Sequence, residues 1–523
     1  MSDCVNILIG VGGSGAKVVE ALMVLMAAGV GSDAGTVHVG LIDQDESNGN
    51  VARTRRLIRA IGNFRREWSR NGANHVDWRS TAGGRIAMGG VDIRPLFEVE
   101  ANALWCPERD DETLETIIGN NLDASRRALF DMLFMPGREE QKLPLGKGYR
   151  GRAHVGATAL IAAMVADDST LMHRLRELME AHGAYSKVNI FIVGSAYGGT
   201  GAAGFPTLAR ALHRLRKSKD FKNRAENVSL GGMLMLPYFS FQDAEGDGEA
   251  VVTTDELLPK AQLALNYYDD LFEGERAFDQ FYALGWGGIP FHLNYHEAGA
   301  NEQSNPALPP ELFAATAGID FFRRNMLVGE PTDATRVMVA ARNGPVIRWS
   351  DLPVHDEIEE KLGQFLRAGV YWRYIVKDMI DAPKGLLGRG NWVQKLSDGV
   401  TTANAQAELA SLHGLIDHVM LWAATIENQA RGHWPKGPWS LRNFVTATDS
   451  PTVPVELRAE MSQSEVLDGF DQLIRIDDGE FVPRASAHVF DDLTNGRIKV
   501  TDESRGLGRV LATVAKASSL KGA

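Results

Sequence analysis

The chain has 523 residues, of which 44% are hydrophobic and 23% are charged, and its formal net charge is −12. This length predicts two or three domains, and the composition is typical of a soluble globular protein. The acidic balance argues against a nucleic-acid-binding surface, and two cysteines, Cys4 and Cys106, exclude a disulfide framework or a cysteine zinc site. The N-terminus lacks the basic region of a signal peptide, and no apolar run approaches the ~20 residues of a membrane span. We therefore expect a cytoplasmic, multi-domain α/β protein.

Residues 6–31 predict a strand, a glycine turn and a helix, in that order. The run Ile7 to Ile9 suits a buried strand, and Val18 to Leu25 has the 3.6-residue spacing of a helix with a core face. A glycine turn at a helix N-terminus presents backbone N–H groups that suit phosphate oxygens. The residues assigned to this turn are Gly10, Gly12, Gly13, Ser14 and Gly15.

A second predicted strand, VHVGLID, ends at Asp43, and Asp45 follows two residues later. In a parallel α/β sheet, an acid at this position lies near the ribose of a nucleotide held by the first turn. The alternative is that both acids merely cap the next helix, VARTRRLIRAIGNF. We assign Asp43 and Asp45 to a nucleotide site, in contact with either the ribose or metal-bound water.

A second glycine turn follows the apolar run Val188 to Val193 and leads into another helical pattern. Its residues are Gly198, Gly199, Thr200, Gly201 and Ala202. The same two features, bare N–H groups and a helix dipole, predict an anion site here. A further glycine-punctuated helix entry, at 146–164, contains Arg150 and Gly156. These two face a phosphate from the side, or else belong to a plain capping turn with surface arginines.

The first half of the chain fits three classes of nucleotide-binding protein. One is a dinucleotide oxidoreductase, and another is the ThiF and ubiquitin-activating group of adenylating enzymes. The pattern of that group, GxGGxG followed by DxDxxxxxN and an arginine, is loosely imitated by Asp43, Asp45, Asn50 and Arg53. The third is the tubulin and FtsZ superfamily, whose first phosphate loop is also a GxGGxG turn.

The second glycine turn, YGGTGAAGFP, resembles the GGGTGSG signature of the tubulin and FtsZ superfamily. Within it, IDQDESNGN and the YRGR turn look most like the divergent bacterial tubulin-like branch. The chain departs from the signature at Tyr197, at Ala202, which replaces Ser or Thr, and at Ala203. Because Ala202 removes one hydroxyl contact to phosphate, we expect nucleotide binding more than brisk hydrolysis.

This resemblance implies an α/β fold with a Rossmann-like parallel sheet, a long central helix and a second α+β domain. It places the nucleotide-binding domain at 1–252 with an insertion at about 54–147, and the central helix at 253–273. The second domain then covers 274–440, and a C-terminal extension covers 441–523. The resemblance also implies GTP or GDP with Mg²⁺ as ligands, and head-to-tail self-assembly into filaments.

The resemblance assigns residues to base recognition and to hydrolysis as well. On the central helix, Asn266 with Tyr267 is the candidate for the base, and the alternative is an exposed asparagine beside a core tyrosine. The polar loop at 299–305 stands where the family completes the next subunit's site, so Glu302, Gln303 and Asn305 are candidates for catalysis in trans. The loop lacks the family's NxDxxxD pattern, and a plain surface loop is the alternative.

Two other functions stay open from the sequence. An adenylating enzyme of the ThiF type would use ATP and an acceptor protein, and the two isolated cysteines weigh against it. A non-catalytic scaffold of the tubulin fold would bind nucleotide only as a structural ligand, or not at all. No histidine pair has metal-ligand spacing, so no metal held by the protein alone is predicted.

Overall fold

The structure is a computed structural model that describes most of residues 4–519. The internal residues outside the description are 32–34, 70–72, 78–87, 98–101, 108–110, 136–138, 150, 167–168, 183–185, 219–220, 222–226, 242–253, 288–289, 294–303, 327–335, 341–346, 383–390, 435–437, 447–454, 474–484 and 501–502.

A parallel sheet of eight described strands forms the centre of the molecule. The strands of the chain are β1 (Val5–Val11), β2 (Thr36–Ile42), β3 (Asp92–Pro95), β4 (Leu104–Trp105), β5 (Val188–Ser195), β6 (Val228–Met235), β7 (Phe239–Phe241), β8 (Gln280–Leu284), β9 (Phe291–Leu293), β10 (Arg336–Ala340), β11 (Val445–Thr446) and β12 (Glu456–Leu457). The order across the sheet is β10-β8-β6-β5-β1-β2-β3, and β4 also pairs with β2. This is a Rossmann-like α/β sheet, as predicted, and its strand order reverses between β1 and β5.

Helices cover both faces of the sheet. They are α1 (Gly12–Ala27), α2 (Gly49–Ser69), α3 (Leu114–Ile117), α4 (Ala124–Leu133), α5 (Ala153–Val165), α6 (Thr170–His182), α7 (Gly199–Lys217), α8 (Thr254–Gly274), α9 (Pro309–Met326), α10 (His355–Tyr371), α11 (Lys377–Met379), α12 (Trp392–Leu396), α13 (Gln406–Ala430), α14 (Gln463–Leu473), α15 (Ala485–Thr494) and α16 (Leu507–Ala517). One apolar core lies beneath α5, α6, α7 and α8. The other lies beneath α1, α2 and α9 and continues into the C-terminal helices.

The two middle strands are buried along their whole length. Every residue of β1 and β5 is buried, and the register pairs Val5 with Val188 and Gly10 with Val193. Such strands must be apolar on both faces because helices cover both sides of a parallel sheet. Two buried asparagines of these strands pair with each other, since the Asn189 amide nitrogen donates to Asn6 Oδ1 at 2.9 Å, but Asn189 Oδ1 has no hydrogen-bond partner among the described residues.

The domain boundary expected at residue 252 does not coincide with the end of the sheet. β8 pairs with β6, and β10 pairs with β8, so the sheet continues to Ala340. The expected central helix, α8, therefore connects two neighbouring parallel strands, as a crossover helix does. The chain beyond the sheet is helical in its described part, apart from the short antiparallel pair β11 and β12.

The C-terminal helices share a core with the sheet. The Trp68 indole of α2 donates to the Glu408 carbonyl of α13 at 3.0 Å, and Trp372 packs edge-on against Trp68. Among the described helices, α13 alone is long and apolar enough to cross a membrane. If the bent pair of α5 and α6 is counted as a single span, there are two candidates. The most apolar 18-residue stretch of α13 is 56% buried inside the protein.

The core beneath β6 generates a stability prediction. A methyl group on Gly231 would come within 2.5 Å of Phe321 and 2.8 Å of Phe191. We expect Gly231→Ala to destabilise the fold by about 1–3 kcal/mol, because overpacking forces buried rings aside.

The control is Gly414→Ala at an exposed site of α13, where an added methyl meets no described atom within 4 Å. Since alanine favours a helix, that variant should gain up to about 1 kcal/mol. Equal thermal unfolding midpoints for the two variants would contradict this account.

Candidate functional site

A pocket opens at the carboxyl ends of β1, β2, β5 and β6, where the strand order reverses. In doubly wound sheets, ligands bind at this position. Its cavity volume is about 160 Å³, which suits phosphate groups more than a whole nucleotide. The lining residues are Gly12, Gly13, Ser14, Lys17, Asp43, Asp45, Asn48, Asn50, Gly148, Tyr149, Gly151, Ser195, Tyr197, Gly198, Gly199, Thr200, Gly201, Tyr238, Phe239, Phe241, Leu257, Lys260 and Asn305.

The two glycine turns touch each other in this pocket. Gly12, the first residue of α1, has a φ of +74°, and a Cβ on it would lie 3.0 Å from the backbone nitrogen of Gly201 in α7. Both the left-handed backbone and the close approach require glycine at this position. On the other side of the second turn, a Cβ on Gly199 would lie 3.0 Å from the backbone nitrogen of Gly151.

Two helices therefore begin side by side at the pocket. α1 starts at Gly12 and α7 at Gly199, and neither has a side-chain capping bond or an acidic residue in its first turn within the described structure. The first N–H groups of a helix have no partner in their own helix, and the helix dipole places partial positive charge there. Two such ends facing one cavity favour an anion.

Asp43 is the buried acid of the pocket. Its carboxylate accepts hydrogen bonds from the Thr200 hydroxyl at 3.1 Å, the Asn48 amide at 3.2 Å and the backbone N–H of Asp45 at 3.3 Å. The bond to Thr200 joins the end of β2 to the second glycine turn. Burial raises the pKa of Asp43 to about 7, because the hydrogen bonds offset only part of the desolvation of its charge.

Two asparagines shape the floor beside Asp43. Asn48 Oδ1 accepts from the backbone N–H of Asn50 at 3.0 Å, and Asn50 Oδ1 accepts from the backbone N–H of Asn305 at 2.9 Å. A methyl group on Gly13 would lie 2.9 Å from the Asn48 amide nitrogen and 3.5 Å from that of Asn50. Gly13 therefore lets the first turn approach these side chains.

A buried ion pair stands behind the first turn. Lys17 Nζ lies 2.5 Å from Glu311 Oε1, and both side chains are almost fully buried. Glu311 also accepts from the Tyr238 hydroxyl and from the backbone N–H of Leu308, each at 2.8 Å. Burial lowers the pKa of Lys17 and raises that of Glu311, against their mutual attraction. The pair joins the second turn of α1 to the start of α9.

Aromatic side chains form one wall of the pocket. Tyr197 packs edge-on against Phe239 at 5.5 Å, and Tyr238 packs against Phe239 at 4.9 Å between ring centroids. Phe241 continues the wall at 5.2 Å from Phe239. Tyr197 also shares a 3.1 Å hydrogen bond with the Ser14 hydroxyl. The family resemblance puts this segment, from Pro237, in the place of a sugar-contacting loop, but it predicts none of these aromatic side chains for the site, although aromatic residues just after a buried strand were a signal for them.

Many of the predicted residues do meet in this pocket. Those that line it are Gly12, Gly13, Ser14, Asp43, Asp45, Gly198, Gly199, Thr200, Gly201 and Asn305. Gly10 and Gly15 lie behind it, where a Cβ on Gly15 would come within 2.6 Å of the Val193 carbonyl. Ala202 lies in the first turn of α7 without lining the cavity, and Gly156 packs in α5 against the Tyr149 ring.

The residues predicted for base recognition do not line the pocket. Asn266 and Tyr267 are exposed on α8, and the Tyr267 hydroxyl accepts a hydrogen bond from Arg210 at 3.2 Å. The first turns of α8 reach the cavity, through Leu257 and Lys260. The helix is a crossover of the sheet, so its later turns run away from the strand ends. Of the other predicted residues, Arg150, Glu302 and Gln303 lie outside the described residues.

Asn305 belongs to the pocket of its own chain. Its N–H donates to Asn50, and its carbonyl accepts from Arg53 Nη1 at 2.8 Å. The expectation that it completes a neighbouring subunit's site therefore does not match its position. Arg53, the arginine of the adenylating pattern, is also absent from the pocket lining and binds Glu20 through its Nε at 2.8 Å.

Among the described residues, no group of three or more His, Cys, Asp or Glu side chains is placed to hold a metal ion. A comparison with protein-family models, and searches of curated proteins and of solved structures, found no match. The class of protein is therefore set by the fold and the pocket. It is a doubly wound α/β protein with a polar, glycine-lined cavity at the reversal of its strand order.

The raised pKa of Asp43 predicts a pH-dependent stability. Between about pH 4 and pH 7 the folded chain keeps a proton on Asp43 that the unfolded chain releases, so this residue makes stability fall as pH rises. Asp43→Asn removes this pH-dependent contribution to the free energy of unfolding. The stability of the variant relative to the parent should increase across this window, by about 4 kcal/mol at most for a shift of this size. Urea unfolding from pH 4.5 to 7.5 measures it, and a constant difference between the two proteins would refute it.

Proposed function

We propose that this chain is a nucleotide-binding protein of the tubulin and FtsZ type, taking a guanine nucleotide with Mg²⁺. The observation that supports it best is the contact between Gly12 and Gly201, which brings two uncapped helix N-termini to one cavity. An anion the size of a di- or triphosphate matches that arrangement, because several backbone N–H groups can reach its oxygens together.

The other lining residues match the remaining parts of a nucleotide. Asp43, at the end of β2, is placed to accept from ribose hydroxyls or from metal-bound water. Lys260, on the rim, brings positive charge toward the phosphates, although Glu256 pairs with it at 2.7 Å. In the aromatic wall, Phe241 is partly exposed and offers apolar ring surface to the nucleoside, and the buried Tyr238 and Phe239 rings support it.

Mg²⁺ fits this site only as a partner of bound phosphate. Such an ion is usually held by one or two carboxylates, waters and phosphate oxygens, so the lack of a three-ligand cluster in the described residues agrees with that mode. Asp43 and Asp45 are the carboxylates on the lining. When bound, Mg²⁺ would neutralise phosphate charge, and the chain's own contribution is to hold Asp43 with Thr200 and Asn48.

Hydrolysis and self-assembly are the finer parts of the proposal. Thr200 keeps a hydroxyl in the second turn, but that hydroxyl donates to Asp43, and Ala202 supplies none. We expect slow turnover for this reason. A neighbouring subunit in a head-to-tail filament would supply what the pocket lacks, namely a group that positions the attacking water.

Nucleotide binding can be tested at Gly13. A methyl group there would crowd the Asn48 amide at 2.9 Å and narrow the approach to the first turn. We expect Gly13→Ala to weaken the binding of a fluorescent GTP analogue at least about tenfold, the equivalent of roughly 1.4 kcal/mol. Gly414→Ala, far from the pocket lining, should bind like the parent.

Equilibrium titration followed by fluorescence anisotropy measures both variants. Excess ATP and GTP, added as competitors, establish the preferred base. If the parent fails to bind either nucleotide in the presence of Mg²⁺, the proposed function is wrong. Equal affinities of Gly13→Ala and Gly414→Ala would place the nucleotide elsewhere.

Trans-completed hydrolysis makes a separate prediction about concentration. Phosphate release from GTP per subunit should rise with total protein concentration, because only assembled subunits have a complete site. A turnover per subunit that is constant over a hundredfold range would show a site complete within one chain. Pyrophosphate release from ATP in the same assay would instead support the adenylating alternative.

A further inference from the structure

A second pocket lies between α1, α2 and α13, next to the segment 304–307. Its cavity volume is about 350 Å³, within the range of small-molecule sites. Three ionisable residues from three helices meet on its wall: Glu20, Arg53 and His418. It adjoins the proposed nucleotide pocket at Asn305, which lines both cavities.

The charges on this wall are unequal in number. Arg53 Nε donates to both carboxylate oxygens of Glu20, at 2.8 and 2.9 Å, and His418 Nε2 lies 3.0 Å from the same carboxylate. Burial would raise the pKa of Glu20, but Arg53 and His418 hold it below its usual value. Arg56, one turn further along α2, is exposed and lines the cavity, and it makes no ion pair with the described residues. Two guanidinium groups therefore face one carboxylate.

Two buried donors on the same wall lack acceptors. Within the described part of the chain, neither Arg53 Nη2 nor Trp422 Nε1 has a hydrogen-bond partner, although both atoms are shielded from solvent. Leaving such a donor unsatisfied costs about 1–3 kcal/mol, and more for a charged group. An acceptor that enters the cavity would remove that cost once the Arg53 or Trp422 side chain turns toward it.

The rest of the wall is mixed: Ser304, Asn305, Thr425 and Asn428 are polar, and the other lining residues are apolar. Pro306, Ala307, Leu421 and Val455 line the cavity together with the Trp422 ring. A bare inorganic ion would leave this surface without a partner, whereas a ligand with an apolar body would cover it. Small-molecule sites combine an apolar lining with a few convergent polar groups in this manner.

We propose that this second pocket binds a small organic anion, a carboxylate or phosphate ester with an apolar or aromatic body. The anionic group lies between the guanidinium groups of Arg53 and Arg56, and the apolar body lies on Trp422 and Leu421. Arginine suits this role because its planar fork donates two parallel bonds to a carboxylate or phosphate. The proposal stands on the described side chains of this pocket and does not depend on nucleotide binding.

Phenyl phosphate is the probe for this site, measured on the full chain by isothermal titration calorimetry with tryptophan fluorescence as a second readout. We expect saturable binding that perturbs tryptophan emission. Arg56→Gln should raise the Kd about tenfold or more, because it removes a charge-assisted hydrogen bond at an exposed position. Arg56→Lys, which keeps the charge, should lose less.

Two further variants make the result specific. Arg59→Gln, also exposed on α2 but outside the pocket lining, should bind phenyl phosphate like the parent. Gly13→Ala should do so too, since that substitution affects the nucleotide pocket. The absence of saturable binding would overturn the proposal, as would equal Kd values for Arg56→Gln and Arg59→Gln. A loss confined to Gly13→Ala would assign the probe to the nucleotide pocket and would overturn it as well. GTP binding is measured separately, so failure of one site is distinguishable from failure of the other.

Discussion

The close approach of two helix N-termini is the constraint on which the rest of this molecule depends. Gly12 and Gly201 bring α1 and α7 together at the reversal of the strand order, with a separation that no side chain larger than hydrogen fits. Their strands, β1 and β5, pair directly along their length, so the two turns leave the sheet side by side. Partial positive charge from both helices then acts on one small cavity, where the protein dielectric screens it less than water does.

The charged side chains around that cavity are arranged to hold the two turns in place. Asp43 reaches across to Thr200 of the second turn, and Lys17 of the first helix reaches back to Glu311 of α9. Removing one member of such a buried pair leaves an uncompensated charge, which costs more than the pair contributes. These contacts connect β2, α7, α1 and α9, so the pocket is built jointly by segments from both halves of the chain.

The sequence was most informative where a local pattern determines the structure. Apolar runs predicted β1 and β5, and the glycines after them predicted turns at helix starts, because both follow from nearest-neighbour geometry. The parallel α/β sheet was predicted from this alternation of strands and helices. The end of the sheet could not be predicted in this way: β8 and β10 join it through long-range pairing, which made α8 a crossover helix. Asn266 and Tyr267, predicted on that helix, lie outside the pocket lining for the same reason. Lys17, Tyr238 and Phe239 were missed because their roles depend on contacts with partners more than 40 residues away.

The position of Asn305 limits what a neighbouring subunit would have to provide in the proposed filament. Its backbone N–H donates to Asn50 of the first pocket, and its carbonyl accepts from Arg53 of the second pocket. Arg53 is in turn held by Glu20, and Glu20 by His418 of α13. A continuous hydrogen-bonded path thus connects the wall of the first cavity to the C-terminal helices. If the loop at 299–305 acted only on a neighbouring subunit, it would not contact the pocket of its own chain. Here its last residue is part of the cavity, so assembly would add to a site that the chain already forms rather than create one.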